Sequence, residues 1–254
     1  MAEKHYNISY LEDTGRFLKA LKEYSYHPFT QLTEGTVIDL GCGTGMDVSN
    51  LAKLLGNEVT VVGVDHDNAM LDKGRSSFVG QENIQFILSE ANTIPFESET
   101  VSGLRAERLI QHLKEPENTI SEMHRVLKKG HPLVVVETDW ASLTFYNEHL
   151  PIESKIIQYL TDKKINNGLA ARRLTDYVEN AGFSDINIEI FPFIIKSLKE
   201  ANEYLWIELM INEAANENFI SGTERDVFLA ALHNADDKNY FACSINVVIV
   251  SSVK

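Results

Sequence analysis

In residues 36–138, short apolar runs typical of strands alternate with segments in which apolar residues recur at helical spacing. Five short apolar runs have the length of strands: 37–40, 58–64, 84–88, 101–105 and 133–136. Between several of these runs, apolar residues recur every three or four positions, as in amphipathic helices at 48–55 and 120–127. Because strands and helices alternate, we predict a parallel sheet with right-handed crossovers.

The pattern loosens after residue 138. Four helical stretches are predicted, at 152–160, 170–181, 198–210 and 223–232. A half-buried strand is indicated at 186–190 by alternating isoleucines, and a long apolar strand at 240–250. The predicted fold is therefore Rossmann-like α/β, with a seven-stranded, mostly parallel sheet, helices on both faces, a C-terminal antiparallel strand and helical cap insertions.

The chain of 254 residues is predicted to form a single domain. Apolar residues around Leu11, Leu18 and Leu21 suggest an amphipathic helix in an N-terminal helical cover, residues 1–35. Residues 36–138 would form a core that binds a ligand, and two segments in the C-terminal half would form a cap: 139–168 and 196–238.

The net charge of −14 argues against nucleic acid and anionic membranes as partners, because such a surface repels phosphate. The first thirty residues lack the apolar core of a signal peptide, and no run is long enough to span a membrane. With only two cysteines, a disulfide framework is not expected. We predict a cytoplasmic monomer or homodimer.

Candidate chemistry is concentrated at residues 36–45, where a strand breaks into three glycines at alternate positions. Glycine lets the backbone adopt positive φ and allows a ligand to approach the main chain. The spacing G-x-G-x-G differs from the G-x-G-x-x-G of dinucleotide sites, and Asp39 just before the turn disfavours a pyrophosphate. Asp65, at the end of the second predicted strand, could accept both hydroxyls of a ribose.

These motifs resemble the class I S-adenosylmethionine-dependent methyltransferases, and in particular the ubiquinone/menaquinone-biosynthesis-like branch of small-molecule enzymes. The resemblance covers about residues 36–140. It rests on Val-Ile-Asp-Leu-Gly-Cys-Gly-Thr-Gly at 37–45, Val-Val-Gly-Val-Asp at 61–65, Ile-Pro-Phe at 94–96 and Arg-Val-Leu-Lys-Lys-Gly at 125–130. It implies S-adenosylmethionine as cofactor, S-adenosylhomocysteine as product, and a small-molecule acceptor methylated on oxygen, nitrogen or carbon.

The resemblance also implies roles for individual residues. Asp39 and the backbone of Gly41, Cys42 and Gly43 would hold the methionine end of the cofactor, with contacts from Arg105. Asp65 would bind the ribose hydroxyls and His66 would lie against the adenine. Glu90, where the family commonly has Asp, would read the adenine edge together with the amide of Ala91.

The acceptor side is less defined. His112 follows the fourth predicted strand and is a candidate general base, although a packed or solvated histidine explains it equally well. Four residues near the rim or in the cap could line the acceptor pocket or simply pack there: Asp139, Trp140, Tyr146 and Trp206. No spacing of His and Cys resembles a metal site.

Two alternatives remain open on the sequence. A nicotinamide-dependent oxidoreductase can use a similar sheet, but the glycine spacing and Asp39 argue against it. A binding module could keep the cofactor pocket without catalysis and use its cap to engage a partner.

Overall fold

A computed structural model describes residues 19–254, and seven strands form one sheet. The strands are β1 Gly35–Leu40, β2 Val59–Asp65, β3 Ile84–Leu88, β4 Gly103–Glu107, β5 Pro132–Phe145, β6 Ser184–Ile195 and β7 Cys243–Val253. Their order across the sheet is β3-β2-β1-β4-β5-β7-β6.

Helices connect most of these strands. They are α1 Lys19–Ser25, α2 Met46–Leu55, α3 Asn68–Ser77, α4 Pro116–Val126, α5 Leu150–Tyr159, α6 Ala170–Asn180, α7 Leu198–Leu205, α8 Ile207–Asn216 and α9 Gly222–Asp237. Short 3₁₀ turns occur at His27–Phe29 and Ile110–His112, and a π-helical turn at Leu160–Lys164 follows α5. Within the described range no helix is long and apolar enough to cross a membrane.

The five strands β1 to β5 are parallel to one another. β7 runs against β5, because the amide of Gly130 bonds to the carbonyl of Lys254 while that of Tyr146 bonds to the carbonyl of Ala242. The predicted fold class, a mostly parallel seven-stranded sheet with an antiparallel C-terminal strand, is confirmed.

Some predicted boundaries are wrong. β4 begins two residues later than predicted, and its first residue, Gly103, leaves room for the buried ring of Phe29. β5 does not stop at residue 136 but continues to Phe145, since the long strand β7 gives it a partner. The predicted helix 198–210 is two helices separated by Trp206, which has a left-handed backbone conformation (φ 50°).

The described chain divides into two compact units. The first consists of residues 19–137, Arg173–Glu189 and Ile249–Lys254, and the second of Thr138–Arg172 and Ile190–Val248. The single-domain organisation stays a prediction. Most of the predicted N-terminal helix, including Leu11 and Leu18, lies outside the described residues, and α1 contains Leu21.

Candidate active site

The glycine turn after β1 has left-handed backbone at Gly41, Gly43 and Gly45, with φ of 75°, 53° and 77°. A side chain at Gly45 is excluded for a second reason, because its Cβ would lie 2.4 Å from the ring of Phe86. The amide of Gly41 bonds to the carbonyl of Val64 at 2.7 Å, which ties the turn to the end of β2. The glycine spacing thus fixes a tight turn at the carboxyl edge of the sheet.

Asp65 holds this turn with its side chain. One carboxylate oxygen accepts the amide of Gly43 at 2.8 Å, and the other accepts the amide of Asp67 at 2.9 Å. His66 Nδ1 lies 3.4 Å from Asp65, and the His66 side chain is 57% exposed. A carboxylate offers about four lone-pair sites, so each Asp65 oxygen keeps capacity for one further donor.

Glu90 and Ala91 follow β3 at the same edge of the sheet. The amide of Ser89 donates to the carbonyl of Asp65 at 3.0 Å, which joins this segment to the end of β2. Glu90 is exposed and Ala91 is half-buried. Both are therefore reachable from solvent beside Asp65.

A buried ion cluster lies next to the turn and is centred on Arg105, whose side chain has no exposed surface. The guanidinium bonds to Asp39 at 3.1 Å, to Ser25 Oγ at 3.0 Å and to Glu107, and it lies 3.6 Å from Asp47. Two further cations contact the carboxylates: Lys22 on α1, whose Nζ lies 2.6 Å from Asp47 and 2.8 Å from Glu107, and Arg108, whose Nε lies 3.4 Å from Glu107. The Tyr26 hydroxyl donates to Asp47, and the Tyr26 ring lies 5.2 Å from the Arg105 guanidinium.

The pKa values in this cluster follow the cations that each carboxyl contacts. Burial raises the pKa of Asp39 to about 7, against the lowering effect of Arg105. Burial alone would also raise the pKa values of Asp47 and Glu107, but Lys22 and Arg105 outweigh it and lower both.

His112 ends the 3₁₀ turn that follows β4. Burial, with contributions from the positive charges of Arg108 and His66, lowers its pKa to about 4. His66 and His112 follow the carboxyl ends of the parallel strands β2 and β4, so both lie at the same edge of the sheet. The imidazole is therefore neutral at pH 7 and is a weak general base, because an efficient base has a pKa near the working pH.

The four candidates for the acceptor side all belong to the second unit. Asp139 is buried and bonds with both oxygens to Nε of Arg172, at 3.0 and 3.2 Å. Trp140 is buried, Tyr146 is 62% exposed, and Trp206 is half-buried between α7 and α8. Within the described residues, no group of three or more His, Cys, Asp or Glu could hold a metal ion.

Four charged residues of the site were missed by the sequence analysis: Lys22, Asp47, Glu107 and Glu137. A signal existed for Glu107, which follows Arg105 by two positions in a strand and therefore shares its face. Glu137 was also visible as a charge directly after the apolar run 133–136. Nothing in the sequence around Lys22 or Asp47 indicates that the two side chains form an ion pair in the folded protein.

The glycine turn, Asp65 and Arg105 at the centre of the ion cluster all fall within a segment that matches a known family. Residues 37–130 match the family described as "Methyltransferase domain". The motif resemblance to class I methyltransferases of the menaquinone-like branch is thereby confirmed for this part of the chain.

Two similar proteins extend the comparison beyond residues 37–130. A 37.1 kDa protein of transposon Tn4556 from Streptomyces fradiae is 26% identical over 217 residues, which are 85% of this chain and 62% of that protein. A demethylmenaquinone methyltransferase from Staphylococcus epidermidis is 26% identical over 126 residues, 50% of this chain and 52% of the relative. The chain thus spans only about half to three fifths of these curated relatives.

Among solved structures, phosphoethanolamine N-methyltransferase 2 from Haemonchus contortus in complex with S-adenosylmethionine superposes with a TM-score of 0.57. The match covers 91% of this chain and 52% of that one at 16% identity. At this identity the likeness shows a shared fold.

Proposed function

We propose that this protein transfers the methyl group of S-adenosylmethionine to a small-molecule acceptor. The observation that carries the proposal is the G-x-G-x-G turn, whose central amide is held by the carboxylate of Asp65 inside the methyltransferase domain. Demethylmenaquinone methyltransferases among the relatives support a small-molecule acceptor. We further propose that the protein acts in the cytoplasm as a monomer or homodimer.

The residues of the first unit fit this cofactor. The free lone pairs of Asp65 suit the two ribose hydroxyls, and the solvent-accessible His66, Glu90 and Ala91 beside it suit the adenine. The carboxylates of Asp39, Asp47 and Glu107 are balanced by Lys22, Arg105 and Arg108, whose Nε lies 3.4 Å from Glu107, so the fully ionised charge of the cluster is 3 − 3 = 0. When it is ionised, the carboxylate of Asp39 just before the turn favours the ammonium group of a methionine end over a pyrophosphate.

The bound cofactor would supply an activated methyl group, so the protein need not provide a covalent nucleophile. Its residues would bind the donor, align it with the acceptor and exclude water, which are large contributions to such a displacement. A neutral His112 can orient an acceptor by a hydrogen bond more readily than it can remove a proton. The four residues of the second unit, Asp139, Trp140, Tyr146 and Trp206, stay our candidates for acceptor contacts.

Calorimetry with S-adenosylhomocysteine tests the cofactor assignment. Replacing Asp65 by Ala removes the ribose acceptor and the bond to Gly43, so we expect affinity to fall by at least about tenfold. Asp67→Ser is the matched control, because serine keeps an acceptor for the first turn of α3 and leaves Asp65 intact. Equal affinity of wild type and Asp65→Ala would refute the site.

The two rival functions are separated in the same preparation. Binding of NADH in a fluorescence titration, without binding of S-adenosylhomocysteine, would support an oxidoreductase. Binding of S-adenosylhomocysteine without transfer of a radiolabelled methyl group to an acceptor panel that includes a demethylated quinone would support a non-catalytic module.

A further inference from the structure

Glu137 lies in β5 and is the last residue of that strand that belongs to the first unit. Its carboxyl group is buried and has no exposed surface. One oxygen, Oε1, accepts the amide of Ile110 at 2.5 Å and the amide of Gln111 at 3.4 Å. The other, Oε2, is buried without a hydrogen-bond partner among the described residues. The side chain thus anchors the 3₁₀ turn Ile110–His112 to the sheet.

The anchored turn is joined to the glycine turn. Leu109, which precedes it, lies over Gly41, because a Cβ at Gly41 would come within 3.1 Å of the Leu109 side chain. His112, at the other end, is within electrostatic range of His66. The Gln111 side-chain amide also lies 3.2 Å from the His112 ring. A displacement of residues 109–112 would therefore change both the packing on the glycine turn at Gly41 and the position of the His112 ring.

We propose that Glu137 is a positioning residue: it holds residues 109–112 against the glycine turn and so sets the location of Leu109 and His112 in the site. For its effect on methyl transfer the inference rests on the proposed function, but the placement of His112 can be measured without a cofactor.

The protonation state of Glu137 agrees with this role. Burial raises its pKa to about 8, although the amides of Ile110 and Gln111 and the charge of Arg108 lower it, and Glu107 adds to the rise. Since Oε1 accepts both amides, the proton belongs on Oε2. The group is then a neutral acid at pH 7, which a glutamine can imitate in shape, charge and hydrogen bonding.

The test compares Glu137→Gln, which keeps a neutral side chain and the acceptor oxygen, with Glu137→Met, which keeps the length and removes the acceptor. Glu153 provides the matched control, because it is also a buried glutamate that accepts a backbone amide, from Phe145 at 3.0 Å, but in the second unit. Glu153→Met therefore reports the general effect of losing such an anchor.

The first readout is the pH titration of the His112 imidazole by NMR, assigned by its loss in His112→Gln. In Glu137→Met the two amides lose their acceptor, so the turn should loosen and the pKa of His112 should rise by about one unit or more toward its ordinary value. Glu137→Gln and Glu153→Met should titrate like wild type. If Glu137→Met leaves the His112 titration unchanged, the proposal is overturned.

The second readout is calorimetry with S-adenosylhomocysteine. We expect Glu137→Met to weaken binding by about tenfold and Glu137→Gln by less than about twofold. If Glu137→Met does not fold, the proposal still requires Glu137→Gln to keep both the wild-type His112 titration and the wild-type affinity, and a loss of either overturns it. Absence of binding to the wild type would instead refute the proposed function and leave the NMR result valid.

Discussion

Replacing Arg105 by Met tests whether the buried ion cluster stabilises the fold around the glycine turn. The change removes the bonds to Asp39, Ser25 and Glu107 and leaves Lys22 and Arg108 as cations next to these carboxylates. Breaking a buried ion pair by removing one partner costs roughly 3–5 kcal/mol. Asp39, with its pKa of about 7, can become neutral at little cost, so we expect about 3 kcal/mol at pH 7.5.

The assay is urea unfolding followed by circular dichroism, at pH 7.5 and at pH 4. Asp47 and Glu107 have lowered pKa values, so their stabilising effect is present at neutral pH and is lost as pH falls. The ordinary pKa values of Asp47 and Glu107 are 3.8 and 4.5, so that loss begins only near pH 4 and continues below it. The difference between wild type and Arg105→Met should shrink toward pH 4 only by the share that depends on ionised Asp39, which is protonated there. The expected loss is large against the total stability of roughly 5–15 kcal/mol.

Two further variants make this result specific to the cluster. Arg75→Met removes an exposed pair with Asp72, which should cost no more than about 1 kcal/mol. In an Asp39→Asn background, Arg105→Met should cost less than in the wild type, with a coupling of at least about 1 kcal/mol. A loss below about 1 kcal/mol at pH 7.5, or strict additivity with Asp39→Asn, would refute the stabilising role of the cluster.

Two other substitutions should separate steric from electrostatic effects. Gly45→Ala should destabilise the fold by about 1–3 kcal/mol more than Gly80→Ala, measured by urea unfolding, because both glycines have positive φ but only Gly45 faces the ring of Phe86. Equal losses would refute the steric part. Glu137→Gln should gain stability relative to wild type as pH rises from 4.5 toward 8, by about 3 kcal/mol at pH 7, because the raised pKa of Glu137 costs the folded wild type stability across that window. A difference in melting temperature that stays constant with pH would contradict it.

The sequence predicted the sheet and the glycine turn because both depend on local patterns. The apolar runs 37–40 and 84–88 lie in β1 and β3, and the helical pattern 48–55 lies in α2. The ends of long strands were missed, since the length of β5 depends on its pairing with β7, which is remote in sequence. Local patterns hold no information about such a partner.

The ion cluster could not be predicted because it depends on register. Asp39 lies directly opposite Arg105 in the pairing of β1 with β4, and Glu107 follows on the same face of the sheet. A shift of one residue would have sent Asp39 to the other face. The resemblance named Asp39 and Arg105 separately as ligands of the cofactor, whereas the structure brings their side chains together at 3.1 Å.

Four buried carboxyl groups of the first unit form a series ordered by the donors that each one contacts. Asp47 and Glu107 contact Lys22 and keep lowered pKa values, whereas Asp39 bonds to Arg105 and has a pKa of about 7. Glu137 accepts two backbone amides and has a pKa of about 8. Neutral amides compensate a buried charge less than a cation does. The fold therefore keeps Asp47 and Glu107 ionised beside the glycine turn and keeps Glu137 as a neutral acid next to residues 109–112. Asp39 and Glu137 make it lose stability as pH rises from about 4 to about 8.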